Sequence, residues 1–544
     1  MKTIKLMMLF TAVLMIGAEV MAQEQAKARK PKVLAIMLDG LRGDVLDTAR
    51  VPTIDSLRNG TWAEGYKGAS TLTALTVPDA RPSSAANHTA ILTAVDAAKS
   101  RVFNNGQTKN GNYKDWPTWL TRITQAVPGT KALFIYSWGE GNQYARTPNV
   151  QFIHATDAAN GANIGKLLAA PDAPDVTQYF VDLPDHGGHA QGFYPFSPAY
   201  LKAVNTSDKY IANALAGIKS RPTFKDEDWL IMVTGDHGGY LRTHGVWGGH
   251  ATTVPVVLSG RNTPSGRIPG VPRHYDLTAT ALKHFGLDPV ALKLEGRPLT
   301  TAAPKAAPRA LKDGLAAYLD FQGKTPVNAV KDGPVAKAMG PRAVSGAAEG
   351  VLRLSGDEHA AGGVKLEGSE KLAFENGDNF TVTLWARMPA TQKGDPLLFG
   401  NKDWSRGVNP GMALIASKVM EGSKVPGVVF NVGRPNQRRM DIGQFDVMPD
   451  QWVFYAVTRD AEGRYVVYQG RADGRFNFAC NRTENTIVKT GLPICIGQDG
   501  TGNYPCIMNG DIDDFALWTR ALSLEDIKSI YEAGRQGLSL GDIL

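Results

Sequence analysis

The feature that most constrains the fold is a change in hydrophobic pattern near residue 300 of the 544-residue chain. From residue 31 to about 300, apolar β-rich runs alternate with amphipathic helical stretches at 197–219 and 275–285. The predicted strands are Val33–Leu38, Ala132–Ser137, Tyr179–Leu183, Trp229–Val233 and Val254–Ser259. This alternation predicts an α/β domain over 31–300, with a mostly parallel sheet flanked by helices and ligands bound beyond the carboxyl ends of its strands.

After residue 300 the pattern of apolar and polar residues changes. The Pro- and Ala-rich segment 301–313 has no periodicity and is predicted to be a linker. Short alternating runs such as "FTVTLWARM" and "WVFYAVTRD" follow, separated by Gly, Asp and Asn turns. They predict that residues 314–544 form an all-β sandwich, with a short last helix at Ser523–Ala533.

The first 22 residues have the organisation of a secretory signal peptide. Two lysines precede an apolar run, and Val20-Met21-Ala22 matches a small-residue cleavage site. The run is shorter than the roughly 20 residues that cross a bilayer, and no later stretch is long and apolar enough to do so. We therefore predict export to the periplasm or the extracellular space, with no transmembrane segment.

Charge and cysteine content narrow the classes of partner. The net charge of +7 is spread along the chain without a basic cluster, so nucleic-acid-specific binding is not expected. All three cysteines, Cys480, Cys495 and Cys506, lie near the C-terminus. An exported protein can oxidise two of them, and the sequence leaves the pair open.

Acidic and histidine side chains follow three of the predicted strands. They are Asp39 after the first, Asp185, His186 and His189 after the third, and Asp236, His237 and His244 after the fourth. A single Asp in such a place is commonly a turn or helix cap. Their recurrence at one sheet edge instead indicates cations, because such groups would otherwise repel one another or stay unsatisfied.

Imidazole and carboxylate without thiolate suit zinc, with manganese, iron and magnesium as alternatives. Seven candidate ligands exceed one tetrahedral ion and suit two divalent ions, an arrangement used for in-line displacement at phosphorus. The segment "RPSSAANHTAILTAV" offers a nucleophile, because Ser83 and Ser84 precede a helical pattern whose N-terminus favours phosphate. One serine can be the N-cap, and Ser83 stays an alternative to Ser84 as nucleophile.

Together these segments resemble the alkaline phosphatase superfamily and, within it, the type I phosphodiesterase/nucleotide pyrophosphatase family. The ordered motifs of that family match Asp39-Gly40, Ser84 to His88, Asn105 at a spacing of 21 residues, Asp185 to His189, Asp236-His237-Gly238 and Thr243-His244-Gly245. The resemblance covers about residues 31–300. Ser replaces the family's Thr, and Ala-Ala replaces its Phe-Pro, which weakens the expectation of an apolar wall for a nucleobase.

The resemblance implies a role for each matched residue. One metal ion would be held by Asp185, His189 and His244, and the other by Asp39, Ser84, Asp236 and His237. Ser84 would form a phosphoseryl intermediate, while Asn105 and the Ser84 backbone N–H would bind the phosphate oxygens.

Three further histidines have other expected places. His250 is the alternative to His244 as the last ligand. His186 is expected beside the site or on the surface, and His88 is expected to pack beneath the helix start.

The substrate class follows from what the segments lack. A sulfatase is disfavoured, because "SSAANH" has no C/S-x-P-x-R context. A monoesterase needs added cations for the dianion, and the stretch "LFIYSWGEGNQYART" offers only Arg146. Tyr136 and Trp138 in that stretch could stack on the second substituent of a diester. We therefore expect a phosphodiesterase, with a nucleotide or a phosphorylated glycan as candidate substrates and a phosphomonoesterase as the alternative.

The C-terminal domain resembles the laminin-G-like or concanavalin-A-like jelly roll. The resemblance rests on "LAAYLDF", "NFTVTLWARM", "WVFYAVTRD" and "GDIDDFALWTRALSLEDIKSIYEAG". It implies a carbohydrate as a candidate ligand, while packing against the catalytic domain is the alternative role. A non-catalytic glycan-binding protein is the rival function, and it gives no physical reason for seven clustered ligand groups.

Overall fold

The computed structural model describes residues 29–144, 147–245, 249–268, 272–299, 310–340, 343–346, 350–355, 362–372, 378–417, 427–445, 447–483 and 489–544. The predicted signal peptide at 1–22, Arg146 and residues 301–309 of the predicted linker lie outside this range. Among the helices of the described residues, none combines the length and apolar character needed to cross a bilayer.

Residues 29–299 form one mixed sheet flanked by helices. Its strands are β1 (Lys30–Leu38), β2 (Lys67–Leu75), β3 (Ala132–Tyr136), β4 (Val150–His154), β5 (Val176–Val181), β6 (Glu227–Gly235), β7 (Thr253–Gly260) and β8 (Gly266–Arg267). Their order is β4-β3-β5-β1-β6-β7-β2-β8. The strands from β4 to β6 are parallel, whereas β7 is antiparallel to both β6 and β2. The predicted mostly parallel sheet is confirmed.

The helices of this part pack on both faces of the sheet. They are α1 (Pro52–Arg58), α2 (Ser84–Thr93), α3 (Ala97–Ser100), α4 (Trp119–Ala126), α5 (Asp157–Ala169), α6 (Leu183–Gln191), α7 (Pro198–Lys219), α8 (Gly249–Thr252) and α9 (Asp276–His284). Leu34, Ile36 and Leu38 of β1 pack with α1, α5 and α7. Its alternate residues Val33 and Met37 pack with α2, α4 and α9. A strand buried on both faces is apolar throughout, and this explains the continuous runs in the sequence.

The register of the central strands brings three strand ends to one edge of the sheet. Leu38 of β1 lies opposite Val181 of β5 and Gly235 of β6. The residues that directly follow these three strands therefore meet at the same edge of the sheet.

Residues 310–544 form two packed antiparallel sheets. The strands are β9 (Leu315–Leu319), β10 (Val335–Met339), β11 (Ala343–Val344), β12 (Leu352–Leu354), β13 (Gly363–Glu367), β14 (Phe380–Arg387), β15 (Leu397–Gly400), β16 (Met412–Ser417), β17 (Gly427–Arg434), β18 (Arg438–Phe445), β19 (Val453–Arg459), β20 (Arg464–Arg471), β21 (Phe476–Thr483), β22 (Ile494–Ile496) and β23 (Gly510–Trp518), and the last α-helix is α10 (Leu524–Arg535). One sheet has the order β10-β13-β22-β15-β16-β17-β18, and the other has β11-β12-β23-β14-β19-β20-β21 with β9 on β23. A hydrophobic core lies between them, so the predicted sandwich is confirmed.

The outer face of the second sheet is covered by α10, which begins with a capping box at Ser523. The cluster beneath this helix, here called the α10 cluster, includes Tyr318, Trp385, Phe454, Trp518, Ile527 and Tyr531. Leu75, the last residue of β2, belongs to the same cluster. The edge strand β21 also contacts β2, β7 and α8. The two parts of the chain therefore share a buried contact.

One cysteine has a defined state. Cys495 in β22 is buried as a free thiol, and burial raises its pKa to about 12. This excludes both disulfide pairings that would include Cys495.

Candidate active site

The carboxyl ends of β1 and β6 carry two buried acids side by side. Asp39 follows β1 and Asp236 follows β6, and both are closed to solvent. The Gly40 N–H donates to Asp236 Oδ1 at 2.9 Å. Gly40 has φ of +72°, and a Cβ there would lie 2.8 Å from the Cα of Asp185. Glycine is therefore needed for this turn to pass so close to the next acid.

Helix α6 adds an acid and a histidine to the same edge. Asp185 and His189 are four residues apart and so lie on one helical face, with Nε2 of His189 3.2 Å from Asp185 Oδ2. The other ring nitrogen, Nδ1, donates to the Arg242 carbonyl at 2.8 Å. This bond directs Nε2 of His189 towards the carboxylates.

His237 is buried between the two strand-end acids. Its Nε2 lies 3.3 Å from Asp236 Oδ2 and 3.5 Å from Asp39 Oδ1. Its Nδ1 donates to the Gly238 carbonyl at 2.8 Å. The ring therefore presents Nε2 to the acids.

His244 completes this side of the site. Its ring stacks on His237 with centroids 4.0 Å apart, and its Nε2 lies 3.9 Å from Asp185 Oδ1. Its Nδ1 donates to the Pro82 carbonyl at 3.2 Å. His189, His237 and His244 thus share one arrangement, in which Nδ1–H donates a hydrogen bond to a backbone carbonyl and Nε2 faces a carboxylate. Second partners of this kind orient histidine ligands in metal sites.

Ser84 is the first residue of α2 and lies at the centre of the cluster. Its Oγ is 3.2 Å from Nε2 of His237, and the side chain is buried. Asn105 Oδ1 accepts from the Ala85 N–H at 2.9 Å, so the Asn105 amide sits against the start of the same helix. The Oγ of Ser83, also buried, makes no hydrogen bond within the described part of the chain. Ser84 is the serine with a contact to the predicted ligands.

His88 is the residue that the sequence analysis placed outside the site. Its Nε2 lies 3.0 Å from Asp39 Oδ2 and 3.1 Å from Asp236 Oδ2, while its ring meets Trp138 edge to face. The available signal was its position four residues after Ser84, since residues at this spacing share a helix face. The sequence predicted that His88 packs beneath the helix start. In the structure His88 also contacts Asp39 and Asp236.

His250 and His186 lie apart from the carboxylate cluster. His250 Nδ1 accepts from the Arg42 guanidinium at 2.9 Å, and Arg42 in turn binds Asp44. His186 is 68% exposed and lies 3.3 Å from Asp182. The geometry therefore favours His244 over His250 as a ligand, and it places His186 on the surface beside the site.

The pKa values of the two strand-end acids, Asp39 and Asp236, are shifted in opposite directions. Burial raises the pKa of Asp39 well above its usual value, and the charges of Asp236 and Asp185 raise it further. Burial acts in the same direction on Asp236, but His237 and His88 outweigh it and hold the pKa of that carboxyl below its ordinary range. The pair therefore carries less than two full negative charges unless a further positive charge joins it.

The pKa values of His189 and His244 also differ from that of an ordinary histidine. The hydrogen bond to Asp185 raises the pKa of His189 to about 9. Burial, with the nearby His237, lowers the pKa of His244 to about 4, so this ring is neutral at pH 7.

The donor set fits divalent metal ions. Three buried carboxylate oxygens accept no hydrogen bond from the described residues, namely Asp39 Oδ1, Asp185 Oδ1 and Asp236 Oδ2. Ligand atoms lie within 4.8 Å of one another in three groups, which are Asp185, His237 and His244, then Asp39, His88 and Asp236, and then Asp39, Asp182 and Asp185. The predicted sets differ in placing His237 with Asp39 and in omitting His88 and Asp182. Buried oxygens of this kind are costly unless a cation pairs with them.

Of the two aromatic side chains predicted for stacking, one is available. Tyr136 is buried, stacks on His154 and donates to Asn142, so its ring cannot meet a substrate. Trp138 is half-buried beside His88 at the site.

Two family models match parts of this chain. Residues 33–240, which run from β1 past His237, match the model described as type I phosphodiesterase / nucleotide pyrophosphatase. Residues 359–528 match the concanavalin A-like lectin/glucanases superfamily. The search of curated proteins found no match.

Similar solved structures are distant. Murine ectonucleotide pyrophosphatase / phosphodiesterase 5 is 14% identical with a TM-score of 0.37, and the match covers 51% of this chain and 97% of that one. A 2-O GAG sulfatase is 13% identical with a TM-score of 0.40, over 51% and 76% of the two chains. Domain 4 of AbnA, a GH43 extracellular arabinanase from Geobacillus stearothermophilus, is 17% identical with a TM-score of 0.29, over 40% and 98%. Likenesses this distant carry no argument about function.

Proposed function

Because the chain belongs to the type I phosphodiesterase/nucleotide pyrophosphatase family of the alkaline phosphatase superfamily and continues into a laminin-G-like domain, we propose that it is a secreted two-metal phosphodiesterase. The family supports hydrolysis of phosphoric esters as the reaction class. Export, the number of metal ions and the preference for diesters are parts of the proposal.

The observation that carries this proposal is the environment of Ser84 Oγ. Three histidines donate hydrogen bonds from Nδ1–H to backbone carbonyls and direct Nε2 at three buried acids near this hydroxyl. Each acid keeps one oxygen that accepts no hydrogen bond from the described residues. Such a set of donor atoms costs free energy as it stands, and cations would offset that cost.

The proposed ligand sets are those expected from the family. Asp185, His189 and His244 would hold one ion, and Asp39, Ser84, Asp236 and His237 would hold the other. Zinc suits these nitrogen and oxygen donors. Two bound ions would lower the pKa of the Ser84 hydroxyl and neutralise charge on the substrate and leaving oxygens.

The chain's own groups would position the substrate. Ser84 Oγ would lose its proton and attack phosphorus in line while the P–O bond to the opposite ester oxygen breaks, so that one substituent leaves as an alcohol. Water would then cleave the phosphoseryl ester, which releases the phosphomonoester and restores the Ser84 hydroxyl. The Ser84 N–H lies at the start of α2, where the first N–H groups have no partner within the helix. The Asn105 oxygen is bound to the Ala85 N–H, so its amide hydrogens remain for the phosphate oxygens.

The charge of the site favours diesters over monoesters. Asp39, Asp185 and Asp236 form no ion pair with a Lys or Arg side chain of the described residues. A monoester dianion brings one more negative charge than a diester and would need such a cation. Trp138 can meet the second substituent of a diester, and a nucleotide or a phosphorylated glycan remains a candidate substrate.

We also propose the domain division predicted from the sequence, with a catalytic domain at 31–300, a linker at 301–313 and a laminin-G-like domain at 314–544. It is supported by separate hydrophobic cores on either side of residues 300–313. A carbohydrate is the proposed ligand of the second domain.

The test compares hydrolysis of bis-p-nitrophenyl phosphate with that of p-nitrophenyl phosphate, in zinc and in chelator. We expect faster diester turnover, loss of activity in chelator and recovery with zinc. Ser84→Ala should lower kcat by about 10³-fold or more. Faster monoester turnover would make the protein a phosphomonoesterase, and turnover of neither ester would favour the glycan-binding rival.

A further inference from the structure

Arg42 lies three residues after Asp39, in the loop that follows β1, and its side chain is only 4% exposed. A guanidinium stays protonated and carries five N–H groups in one plane, but it has no lone pair for a metal ion. Arg42 therefore acts at the site through the groups that it holds.

The guanidinium of Arg42 binds the backbone of two segments that carry predicted metal ligands. Its Nη1 donates to the Phe193 carbonyl, and to the Gly239 carbonyl at 3.4 Å. Phe193 is four residues after His189, and Gly239 is two residues after His237. Because Arg42 itself follows β1, its side chain joins the segments that follow β1, β5 and β6.

Arg42 is also fixed at the other edge of its guanidinium and at its backbone. Nε donates to Asp44 Oδ1 at 2.9 Å and Nη2 donates to Asp44 Oδ2 at 2.5 Å, the two-bond pairing that arginine forms with carboxylates. Nη2 also donates to His250 Nδ1 at 2.9 Å. The Arg42 N–H donates to the Tyr200 hydroxyl at 2.9 Å, and that hydroxyl donates to the Gly40 carbonyl at 2.5 Å. The orientation of the guanidinium is therefore set from both ends of the residue.

Close packing transmits the position of Arg42 to the histidines. A Cβ on Gly239 would lie 2.3 Å from Cγ of the Phe193 ring, so these two residues already touch. The Phe193 ring meets the rings of His189 and His244 edge to face, with centroids 5.3 Å and 6.5 Å apart. Loss of the bonds from Arg42 would therefore free the backbone on which this aromatic contact depends.

The acids of the site give a reason for such a tie. Asp39, Asp185 and Asp236 are buried at one edge of the sheet, and each keeps an oxygen that accepts no hydrogen bond from the described residues. Their mutual repulsion acts to separate the segments that carry them. Ligands that are held in place before an ion arrives bind it more tightly, because less ordering remains to be done. We propose that Arg42 is a positioning residue, which holds the three segments together and so sets the affinity of the site for its metal ions.

This role of Arg42 rests on the proposed two-metal site, and its test measures metal binding separately from hydrolysis. Zinc dissociation constants of the full chain are measured by competition with a chromophoric chelator, for the wild type, Arg42→Lys and Asp44→Asn. Lysine keeps the charge but places its donors on one nitrogen, so it cannot reproduce the planar set of bonds. The visible absorption of the cobalt-loaded proteins reports ligand geometry, and the unfolding midpoint in chelator reports stability.

The matched control is Arg221→Lys. Arg221 is also a buried arginine, and it binds the Glu227 carboxylate and the Leu168 carbonyl. Glu227 is the first residue of β6, so this arginine lies at the end of the strand opposite to the site. The control therefore removes a comparable set of buried bonds without touching the segments that carry the ligands.

We expect Arg42→Lys to raise the zinc Kd by about tenfold or more and to change the cobalt spectrum. Asp44→Asn should fold as the wild type does, since that side chain is 37% exposed, and it should raise the Kd by about fivefold because the guanidinium loses its charged partner. Arg221→Lys should lower the unfolding midpoint in chelator but keep the zinc Kd and the cobalt spectrum of the wild type.

The positioning role is overturned if Arg42→Lys binds zinc as tightly as the wild type, if Arg221→Lys weakens zinc binding as much as Arg42→Lys does, or if the wild type binds no zinc. Should Arg42→Lys fail to fold, a zinc Kd in Asp44→Asn equal to that of the wild type overturns it. A wild type that binds zinc but does not hydrolyse bis-p-nitrophenyl phosphate contradicts the proposed function instead, and the expected order of zinc Kd values would still support the role of Arg42.

Discussion

Replacing Asp39 by Asn is predicted to change stability in opposite directions with and without zinc. In chelator, Asp39 is a buried acid next to Asp236 and Asp185, and its pKa is raised by burial first and by those two charges next. A carboxyl with a raised folded-state pKa stabilises the fold while it is protonated, and this contribution is lost as pH rises through that pKa. The variant has no proton to lose, so its advantage over the wild type should grow as pH rises above about 4.

The size of the effect follows from the distances. Ligand atoms of Asp39 and Asp236 lie within 4.8 Å, so at a pH that ionises both acids their charges repel by about 3 kcal/mol at an effective dielectric constant of 20. The neutral amide of the variant weakens the contact with His88, and a hydrogen bond to a charged group contributes about 2 kcal/mol. The net gain is about 1 kcal/mol, or roughly 2–4 °C in unfolding midpoint for a domain of this size.

The measurement is calorimetric unfolding of both proteins at pH 5 and pH 8, in chelator and in excess zinc. The wild type should gain about 3 kcal/mol at zinc a hundredfold above its Kd, and Asp39→Asn should gain less. Asp208→Asn is the matched control, because Asp208 is a buried acid bound to the N–H groups of Thr53 and Ile54, away from the site. It should lower the midpoint equally with and without zinc. An Asp39→Asn protein less stable than the wild type in chelator at pH 8 would refute the reasoning.

Three further predictions concern the proposed roles at the site. In steady-state diester hydrolysis, Ser83→Ala should keep kcat within a few-fold of the wild type, whereas Ser84→Ala should lower it by about 10³-fold or more. The reverse order would make Ser83 the nucleophile. Asn105→Ala should lower kcat by about 10²-fold while the bound zinc measured by elemental analysis stays unchanged, because its amide is proposed to contact phosphate and no metal ion. His244→Ala should reduce bound zinc by about one ion per chain, while His250→Ala should leave it unchanged; equal zinc in both variants would contradict the assignment.

The sequence predicted the central strands because their burial on both faces leaves a clear apolar run. It did not predict β2 and β4, because their sequences lack a continuous run of apolar residues. In β2, Lys67, Ser70, Leu72 and Thr73 are not fully buried, while β4 is an edge strand with one buried residue at Val150. Strands that are only partly buried resemble loops in a single sequence.

At the site, the motifs predicted which residues meet, because the carboxyl ends of parallel strands share one edge. They did not predict which atoms face each other. His88 reaches Asp39 and Asp236 since α2 starts directly above the edge, and this angle depends on packing against the sheet. The stacking of His237 on His244 likewise depends on a chain reversal at 240–243, which the spacing of the motif does not specify.

The position of Leu75 has a consequence for how the protein can be divided. This side chain ends a strand of the N-terminal sheet but belongs to the buried α10 cluster, whose other members lie in the C-terminal half. Cutting the chain at residue 300 would leave Leu75 facing water and would remove the contacts that β21 makes with β2 and β7, so apolar surface would become exposed. The N-terminal half produced alone should therefore tend to aggregate, and adding the separate C-terminal half should restore its solubility.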